Sequence, residues 1–413
     1  MGVYGYTKKT TPNIDDFTKT SLIFSNAYTI FPTTKASFFA LFSGSKKLYK
    51  ALNSDTSKKS QSLPELFKEK GYITTAFVTN SVIGNKSKYF QKLFDQFHYF
   101  YTENSLNTYN DLINEYQNSI NLTEGFLSWL KVNNNKKFFT WLHYTNPHAP
   151  YNPPHKYLCQ IDSDCDSTKY DELEDISNKE NWKTISQEHI DLLKNLYDAE
   201  ILEADEQIGI VIKKLKEYGL DKNSIIVIYG DHGEGFDHDV FEHGDALYES
   251  AVKIPLIIYT PLNKKKIISS TLVDNTDIFP SLLDLYGMKK EENRGDGYSF
   301  LSTGTFTEKI SSQRKYVVMK SSIPNKRAIT DGVYKYSDLK GGDCPSMDDQ
   351  GELYSLLNDK EEKNNIAKSN SAIINSMKAG FQKETSIEVL PKYVLNDCVQ
   401  NSSPLERMES LGY

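Results

Sequence analysis

The sequence predicts an α/β chain with a small antiparallel sheet appended at its C-terminal end. Three observations carry this. The run Ile225–Tyr229 is short, apolar and β-branched, and it breaks off in Gly-Asp-His-Gly-Glu, the pattern of a buried strand whose carboxyl end opens into a loop. A long amphipathic segment, Ile190–Tyr218 closed by Gly219, leads into that run from an earlier apolar stretch, Phe138–Tyr144. Strand, helix and strand in that order read as a crossover between neighbouring parallel strands. Beyond about residue 305 the pattern changes to Tyr316–Lys320, Lys326–Thr330 and Val333–Ser337 with Gly332 as a turn, an antiparallel meander. The division expected from this is a main domain over 1–300 and a small-sheet subdomain with a polar tail over 301–413.

The elements follow in order. The opening ten residues are rich in Gly, Tyr, Lys and Thr and have turn character. Thr11-Pro12-Asn13 starts a short helix with Ile14, Phe17 and Leu22 on its apolar side, and Phe24–Tyr28 reads as a brief strand. In Phe31–Gly44, Pro32 breaks what precedes it, Thr33 and Thr34 stand where a helix cap belongs, and Phe38, Leu41 and Phe42 have helical spacing. Thr34 therefore falls at or near a helix N-terminus, where free N–H groups and the dipole favour an anion, although a cap hydroxyl is the ordinary reading of such a residue. Ser62–Lys70 is a helix and Ile73–Val78 a strand; the Asn-rich residues 101–135 are helical in two pieces. Phe138–Tyr144 runs into Asn146-Pro147-His148-Ala149-Pro150-Tyr151, which puts His148 at a strand end. Residues 154–185 form an acidic surface insertion. Ile254–Tyr259 is a second buried strand, Asp277–Tyr286 a short helix, and 371–384 a last helix before the tail. No internal repeat is visible.

Composition narrows the function. The 413 residues carry a net charge of -7 and 38% hydrophobic residues, enough for a real core and wrong for a general nucleic-acid binder. The four cysteines form no CxxC pair, which argues against a zinc knuckle. Cys159 and Cys165 flank the polar loop QIDSD and would either close a small disulfide or stand as two free thiols. No apolar stretch is long enough to span a bilayer, and no signal peptide is visible.

The chemistry concentrates after Tyr229. Asp231 and His232 set a hard oxygen donor beside an imidazole at a strand end, where open α/β sheets bind ligands. Gly230, Gly233 and Gly235 are expected to let the backbone turn sharply around them, and His238 and His243 follow in the same loop. A carboxylate and several imidazoles in a Gly-rich loop point to a divalent metal: zinc, manganese or calcium.

The segments YGYTKKTTPNIDDF, LYDAEILEADEQIGIVIKKLKEYGLDKNSIIVIYGDHGEGF, HGDALYESAVKIPLII, VDNTDIFPSLLDLYG and ELYSLLNDKEEKNNIA, in that order, resemble the sulfatase-like branch of the alkaline phosphatase superfamily over nearly the whole chain. The resemblance implies an alkaline-phosphatase-like mixed sheet between helices with a small C-terminal sheet, and hydrolysis or transfer of sulfate or phosphate esters carried by small molecules, glycans or lipids. It implies a metal at Asp231 and His232, Thr34 as nucleophile by register through Ser37, Leu41, Ser43 and Gly44, and His148 as contact to the transferred group or leaving-group acid. His243 matches a late His that contacts substrate or a second metal; His238 is a loop or supporting residue. Lys35 would supply charge to the substrate in place of the family's Arg, although an exposed Lys is the ordinary reading of such a residue. A Thr at the nucleophile position cannot become formylglycine, because its β-carbon carries a methyl, so phosphoesterase or phosphotransferase chemistry is favoured, with sulfuric ester hydrolysis the alternative. Two departures stand out. Phe38 occupies the place of the family's Arg four residues on. The acidic ligands at the end of the family's first strand have no counterpart, since Asp15 and Asp16 fall in the helix after the turn. Either the chain starts part-way into the fold, with Met1 an internal methionine and any export signal upstream, or the metal site is incomplete and the protein is a non-catalytic binding member.

Overall fold

The structure is a computed structural model that describes residues 1–47, 61–85, 87–100, 113–166, 168–170, 173, 185–238, 240–288, 295–301, 314–321, 326–338 and 351–383. It is a mixed α/β fold. In chain order the principal elements are α1 (Pro12–Phe17), β1 (Ser21–Tyr28), α2 (Thr34–Ser43), α3 (Leu63–Glu69), β2 (Ile73–Val78), β3 (Gln96–Tyr99), α4 (Ile113–Asn133), β4 (Phe138–His143), α5 (His155–Ile161) and α6 (Gln187–Glu217). They continue with β5 (Ile226–Tyr229), β6 (Gly235–Asp237), β7 (Val240–Glu242), β8 (Leu256–Tyr259), β9 (Ile267–Asp274), α7 (Ile278–Leu285), β10 (Val317–Lys320), β11 (Arg327–Thr330), β12 (Tyr334–Ser337), β13 (Glu352–Ser355) and α8 (Ser371–Lys383). Among the described residues of 101–135 there is one helix, α4; the expected first piece, 101–112, lies outside the described residues.

Hydrogen bonding joins the strands into sheets of order β5-β8-β1-β9, β3-β2-β4, β10-β11-β12-β13 and β6-β7. This corrects the expected pairing of Phe138–Tyr144 with Ile225–Tyr229. β4 lies parallel to β2, with Ile73 opposite Phe138 and Val78 opposite His143, whereas β5 neighbours β8. The crossover helix joins two sheets rather than two neighbouring strands. An apolar run states that a strand is buried, not which strand lies beside it.

The chain forms two compact units, Met1–Leu22 with Pro64–Ile226 and Ile258–Lys266, and Ile23–Leu63 with Val227–Ile257 and Ile267–Tyr413. In the first, Phe77 of β2 packs with Leu122, Phe126 and Leu130 of α4 and Val211 and Leu215 of α6. The helix α6 is capped by Ser186, whose hydroxyl accepts from the His189 amide at 3.2 Å, and ends at Gly219 in the left-handed region. Its buried face holds Leu193, Leu196 and Ala199 but also Asp198, Glu200, Glu203 and Asp205. Each acid satisfies a neighbour. Asp205 accepts from the Asn13 and Ile14 amides at 2.9 and 2.8 Å, filling the free donors at the start of α1. Asp198 takes the Tyr6 hydroxyl at 2.7 Å, Glu203 the Asn146 amide group at 3.3 Å, and Glu200 the His148 and Asn152 amides at 3.1 and 2.8 Å. Apolar periodicity alone reads these positions as a solvated face, because it does not see the donors that reach them from distant segments.

Cys159 and Cys165 are bonded at the end of α5, which settles the open choice between disulfide and thiols. They also belong to a three-donor set with His155, the sulfurs of which are committed to that bond. Cys344 and Cys398 lie outside the described residues.

In the second unit the C-terminal meander gains a fourth strand. Val317 stands opposite Thr330, Ile329 opposite Tyr336, and Tyr336 opposite Leu353, all antiparallel. One face of this sheet receives Ile374, Met377 and Phe381 of α8. Tyr28 at the end of β1, Ile30 and Phe31 just after it, and Ala36 and Ala40 of α2 share the same core. That core anchors the start of α2 and so the residue at position 34.

Candidate active site

Thr34 is the first residue of α2, with Thr33 as N-cap in extended geometry and no side-chain cap bond. The helix begins there because Pro32 and the extended Thr33 cannot continue a preceding helix, and it ends at Gly44 with φ 63°. Its first intrahelical bond runs from the Ser37 amide to the Thr33 carbonyl at 2.9 Å, so the amides of the turn before it have no intrahelical acceptor. Lys35 follows, half-buried, on the same turn.

From the other direction β5 ends at Tyr229, and Gly230-Asp231-His232-Gly233 forms a loop bonded to 251–255. The Gly230 amide donates to Pro255 O at 3.1 Å and the Gly233 amide to Ala251 O at 2.8 Å. Gly230, Gly233 and Gly235 are not among the glycines at positive φ, which corrects the expectation that they serve a sharp turn. Gly230 and Gly233 serve close approach. A Cβ on Gly233 would lie 1.9 Å from the Ser250 carbonyl oxygen, and one on Gly230 would lie 2.9 Å from Pro255 Cδ. Gly233→Ala must therefore push the loop away from backbone that cannot yield. The expected result is a loss of about 2 kcal/mol or more in stability and a displaced Asp231–His232 pair; an unfolding midpoint and crystal structure matching the parent would refute it.

The two approaches meet. Thr34 Oγ1 lies 3.2 Å from His232 Nε2. His232 Nδ1 is 2.9 Å from Gly233 O, and a carbonyl only accepts, so Nδ1 carries the proton and Nε2 presents a lone pair. Burial pushes this ring below its ordinary pKa against the pull of the Asp231 carboxylate, and the neighbouring His243 adds to the depression, so the ring is neutral near pH 7. Asp231 Oδ2 is 3.6 Å from His232 Nε2, and its side chain is 21% exposed where that of His232 is 8%. His243 stacks on His232 with ring centroids 4.0 Å apart and holds Glu234 Oε1 at 3.1 Å through Nδ1.

Thr34, Lys35, Asp231, His232 and His243 thus fall in one unit. His148 falls in the other, in the loop after β4, where its amide is held by Glu200 and its Nδ1 lies 2.6 Å from Ala149 O. Phe38 is buried and packs edge-on to Tyr229 with centroids 6.0 Å apart, so the place expected of an Arg is part of an aromatic core. Asp15 and Asp16 lie within α1, and Asp15 Oδ1 accepts from the Val3 amide at 2.8 Å. Sequence reasoning did not single out Tyr229, Glu234 or Asn275. The first two sit beside residues it did name, and Asn275 follows the end of β9 in a V-D-N-T-D run whose polar density was the available signal.

The donors present fit a divalent cation in part. Asp231 offers a half-buried carboxylate and His232 a neutral imidazole whose free nitrogen faces the same side, the ligand types that zinc, manganese and calcium share between them. Among the described residues the three-donor set within 4.8 Å is the one at the disulfide, so this pair is two donors and not a complete shell.

His238 lies apart from this cluster. It adopts φ 57°, stacks on Tyr248 at 3.7 Å, and places Nε2 2.9 Å from Glu362 O and Nδ1 3.2 Å from Asp237 Oδ1. Both partners are acceptors, so both contacts need the imidazolium. Burial would lower this ring, and the Asp237 carboxylate and the Glu362 carbonyl outweigh it and raise its pKa above the ordinary value. A histidine whose folded pKa is raised contributes stability that is complete below its unfolded pKa of 6.5 and is lost as pH rises through the folded pKa. His238→Gln should therefore lose more stability at pH 5.5 than at pH 9; equal losses at both would refute the charged clasp.

The description Sulfatase names the family model that matches residues 1–288. An arylsulfatase of Clostridium perfringens is 31% identical over 170 residues, covering 36% of this chain and 34% of that one. The chain spans a quarter to two fifths of the length of the curated relatives it first matches, from 24% to 39%. A protein solved in complex with its substrate D-glucosamine-2-N,6-O-disulfate superposes with a TM-score of 0.69 at 19% identity, covering 95% of this chain and 96% of that one. A phosphonate monoester hydrolase of Agrobacterium radiobacter does so with a TM-score of 0.70 at 16% identity, covering 94% and 93%. At those identities the likeness is one of fold. The family match is what decides membership: over more than half of its length the chain is matched by one model, and it belongs to the sulfatase family.

Proposed function

We propose that this protein is a metal-dependent hydrolase or transferase of anionic esters, with Thr34 as nucleophile and phosphate esters favoured over sulfate esters. The observation that supports it is the 3.2 Å contact between Thr34 Oγ1 and the lone-pair nitrogen of His232, at a helix N-terminus and beside Asp231. Asp231 and His232 would hold the divalent cation, which when bound would polarise the ester oxygens and lower the pKa of a hydroxyl beside it. The Thr34 hydroxyl releases its proton to solvent and attacks phosphorus or sulfur, its oxygen forming the new bond as the bond to the ester oxygen breaks and that oxygen departs with its alcohol. The threonyl ester that results is opened by water in hydrolysis or by an acceptor alcohol in transfer. The first-turn amides of α2 and the Lys35 ammonium favour the anionic oxygens of the transferred group. His243, fixed by Glu234, is proposed to contact that group.

The methyl on the β-carbon of Thr34 prevents formation of an aldehyde, which favours direct attack by the hydroxyl. The likeness to a phosphonate monoester hydrolase supports phosphorus as the centre attacked. Sulfate ester hydrolysis is the second reading, carried by the arylsulfatase relative, and the disulfated glucosamine in a similar fold makes a sugar ester the class of natural substrate to try.

The test is turnover of p-nitrophenyl phosphate, bis-p-nitrophenyl phosphate and p-nitrophenyl sulfate with zinc, manganese or calcium, and with a chelator. Phosphate ester turnover that disappears on chelation is expected. Turnover that survives chelation removes the metal from the proposal, and a preference for the sulfate ester favours the second reading. Silence towards all three esters with every metal overturns the enzymatic reading.

A further inference from the structure

We infer that Asn275, Ser37 and Tyr229 form a positioning device that sets the distance between the Thr34 hydroxyl and the Asp231–His232 pair; this rests on the reading of Thr34 just given. Asn275 and Ser37 are fully buried. Ser37 stands one helical turn after Thr34, on the same face of α2. Its Oγ donates to the Asp231 carbonyl at 2.7 Å, the peptide oxygen that lies between the two ligand-bearing residues. The helix that carries the nucleophile is thereby tied directly to the loop that carries the acid and the imidazole.

The direction of every bond in this network follows from its acceptors. The Asp231 carbonyl takes the single Ser37 hydroxyl proton. Thr29 Oγ1 gives its proton to Phe31 O at 2.9 Å. The Thr29 hydroxyl also faces Ser37 Oγ at 3.1 Å, and Ser37, its own proton spent, can only accept there. The donors are the Tyr229 hydroxyl, which bonds to Ser37 Oγ, and the Asn275 amide group. Asn275 Nδ2 lies 3.2 Å from Ser37 Oγ, Ser37 O and Tyr229 OH, and 3.4 Å from Thr29 Oγ1. Its Oδ1 accepts from the Ile30 amide at 3.3 Å, which rules out the flipped amide. The polarity runs from Tyr229 through Ser37 to the Asp231 carbonyl.

A helix and a loop from distant parts of the chain thus meet through one oriented hydroxyl. Thr34 and His232 have no rigid connection of their own, and their contact reports the bond one turn away. A misplacement of about 1 Å at such a pair costs on the order of a hundredfold in rate.

The experiment uses Ser37→Ala and, because a buried serine can matter for folding, Tyr229→Phe, which removes one donor and keeps the ring. With p-nitrophenyl phosphate, kcat should fall by about 10- to 100-fold while KM stays within about threefold. Asn275→Asp, the same shape with no N–H to donate, should fall with them. Crystal structures of the variants should show Thr34 Oγ1 and His232 Nε2 beyond hydrogen-bond reach with α2 and its sheet retained. Unchanged kcat in both Ser37→Ala and Tyr229→Phe, or a retained Thr34–His232 contact in Ser37→Ala, overturns the inference. The structural readout needs no turnover: a protein that hydrolyses nothing sinks the proposed chemistry, while the variant structures still judge the network.

Discussion

Thr34→Ala is expected to lower kcat/KM towards an aryl phosphate by about ten-thousand-fold, with KM little changed. Removing a nucleophile leaves the electrostatic features that bind an anionic ester, here the first-turn amides of α2, Lys35 and the Asp231–His232 pair. Losses of that order are typical where one group forms the covalent bond and its partners cannot replace it. The substitution also removes the only hydroxyl within reach of His232 Nε2 among the contacts described, since Ser37 is committed to the Asp231 carbonyl. Thr34→Ser keeps the oxygen and loses only the β-methyl, and should retain activity within about tenfold. Steady-state kinetics of the two variants, with thermal melts to show that both are folded, separates nucleophile from bystander. Activity of Thr34→Ala within about tenfold of the parent would mean that another group attacks, and Thr34 would revert to an ordinary first-turn residue.

Arg314→Met is expected to destabilise the protein by about 3–5 kcal/mol at pH 7. Arg314 has no side-chain exposure and forks across two carboxylates: NH1 to Asp274 Oδ2 at 2.8 Å, NH2 to Asp277 Oδ1 at 2.5 Å and Nε to Asp277 Oδ2 at 3.2 Å. Lys46, equally buried, lies 3.4 Å from Asp274 Oδ2. Burial alone would raise Asp274, and the Arg314 guanidinium and Lys46 ammonium reverse that and hold it below the ordinary carboxylate range. Burial, and then the charge on Asp274, push Asp277 up to about 6. Methionine fills much of the volume but leaves two buried acids with one ammonium. Arg314→Lys should fare little better, because a point charge cannot reproduce the fork. The deficit should shrink as pH falls through about 6 towards 4, where Asp277 is protonated and no longer needs a cation. Denaturant midpoints at pH 7 and pH 5 give the comparison. A midpoint at pH 7 within about 0.5 kcal/mol of the parent would show the cluster to be dispensable. Asp274 and Asp277 also form the reciprocal cap around Asn275, so the same variant is expected to loosen the turn that orients Ser37.

Much of the architecture was legible before folding. Ile73–Val78 appears as β2 with the expected bounds, the apolar stretch before the Gly-Asp-His-Gly loop is a strand, and the three meander strands pair antiparallel. These features are local, since period and turn residues state them within a few positions. The neighbour of each strand was not legible, and the crossover was misplaced for that reason. The acids Asp198, Glu200, Glu203 and Asp205 are buried because amides and a hydroxyl from residues 6, 13, 14, 146, 148 and 152 reach them, and no window along α6 contains those donors.

By itself the sequence determined the family, the α/β class and the residue types that chemistry requires, a hydroxyl at a helix start and an acid beside an imidazole at a strand end. The tertiary structure decided that Thr34 and His232, 198 positions apart, lie 3.2 Å from one another. It also decided that Gly230 and Gly233 serve close approach instead of turning, and that Ser37 faces the Asp231 carbonyl. The reason is physical: a residue's identity sets which bonds it can make, and packing sets which partners arrive to make them.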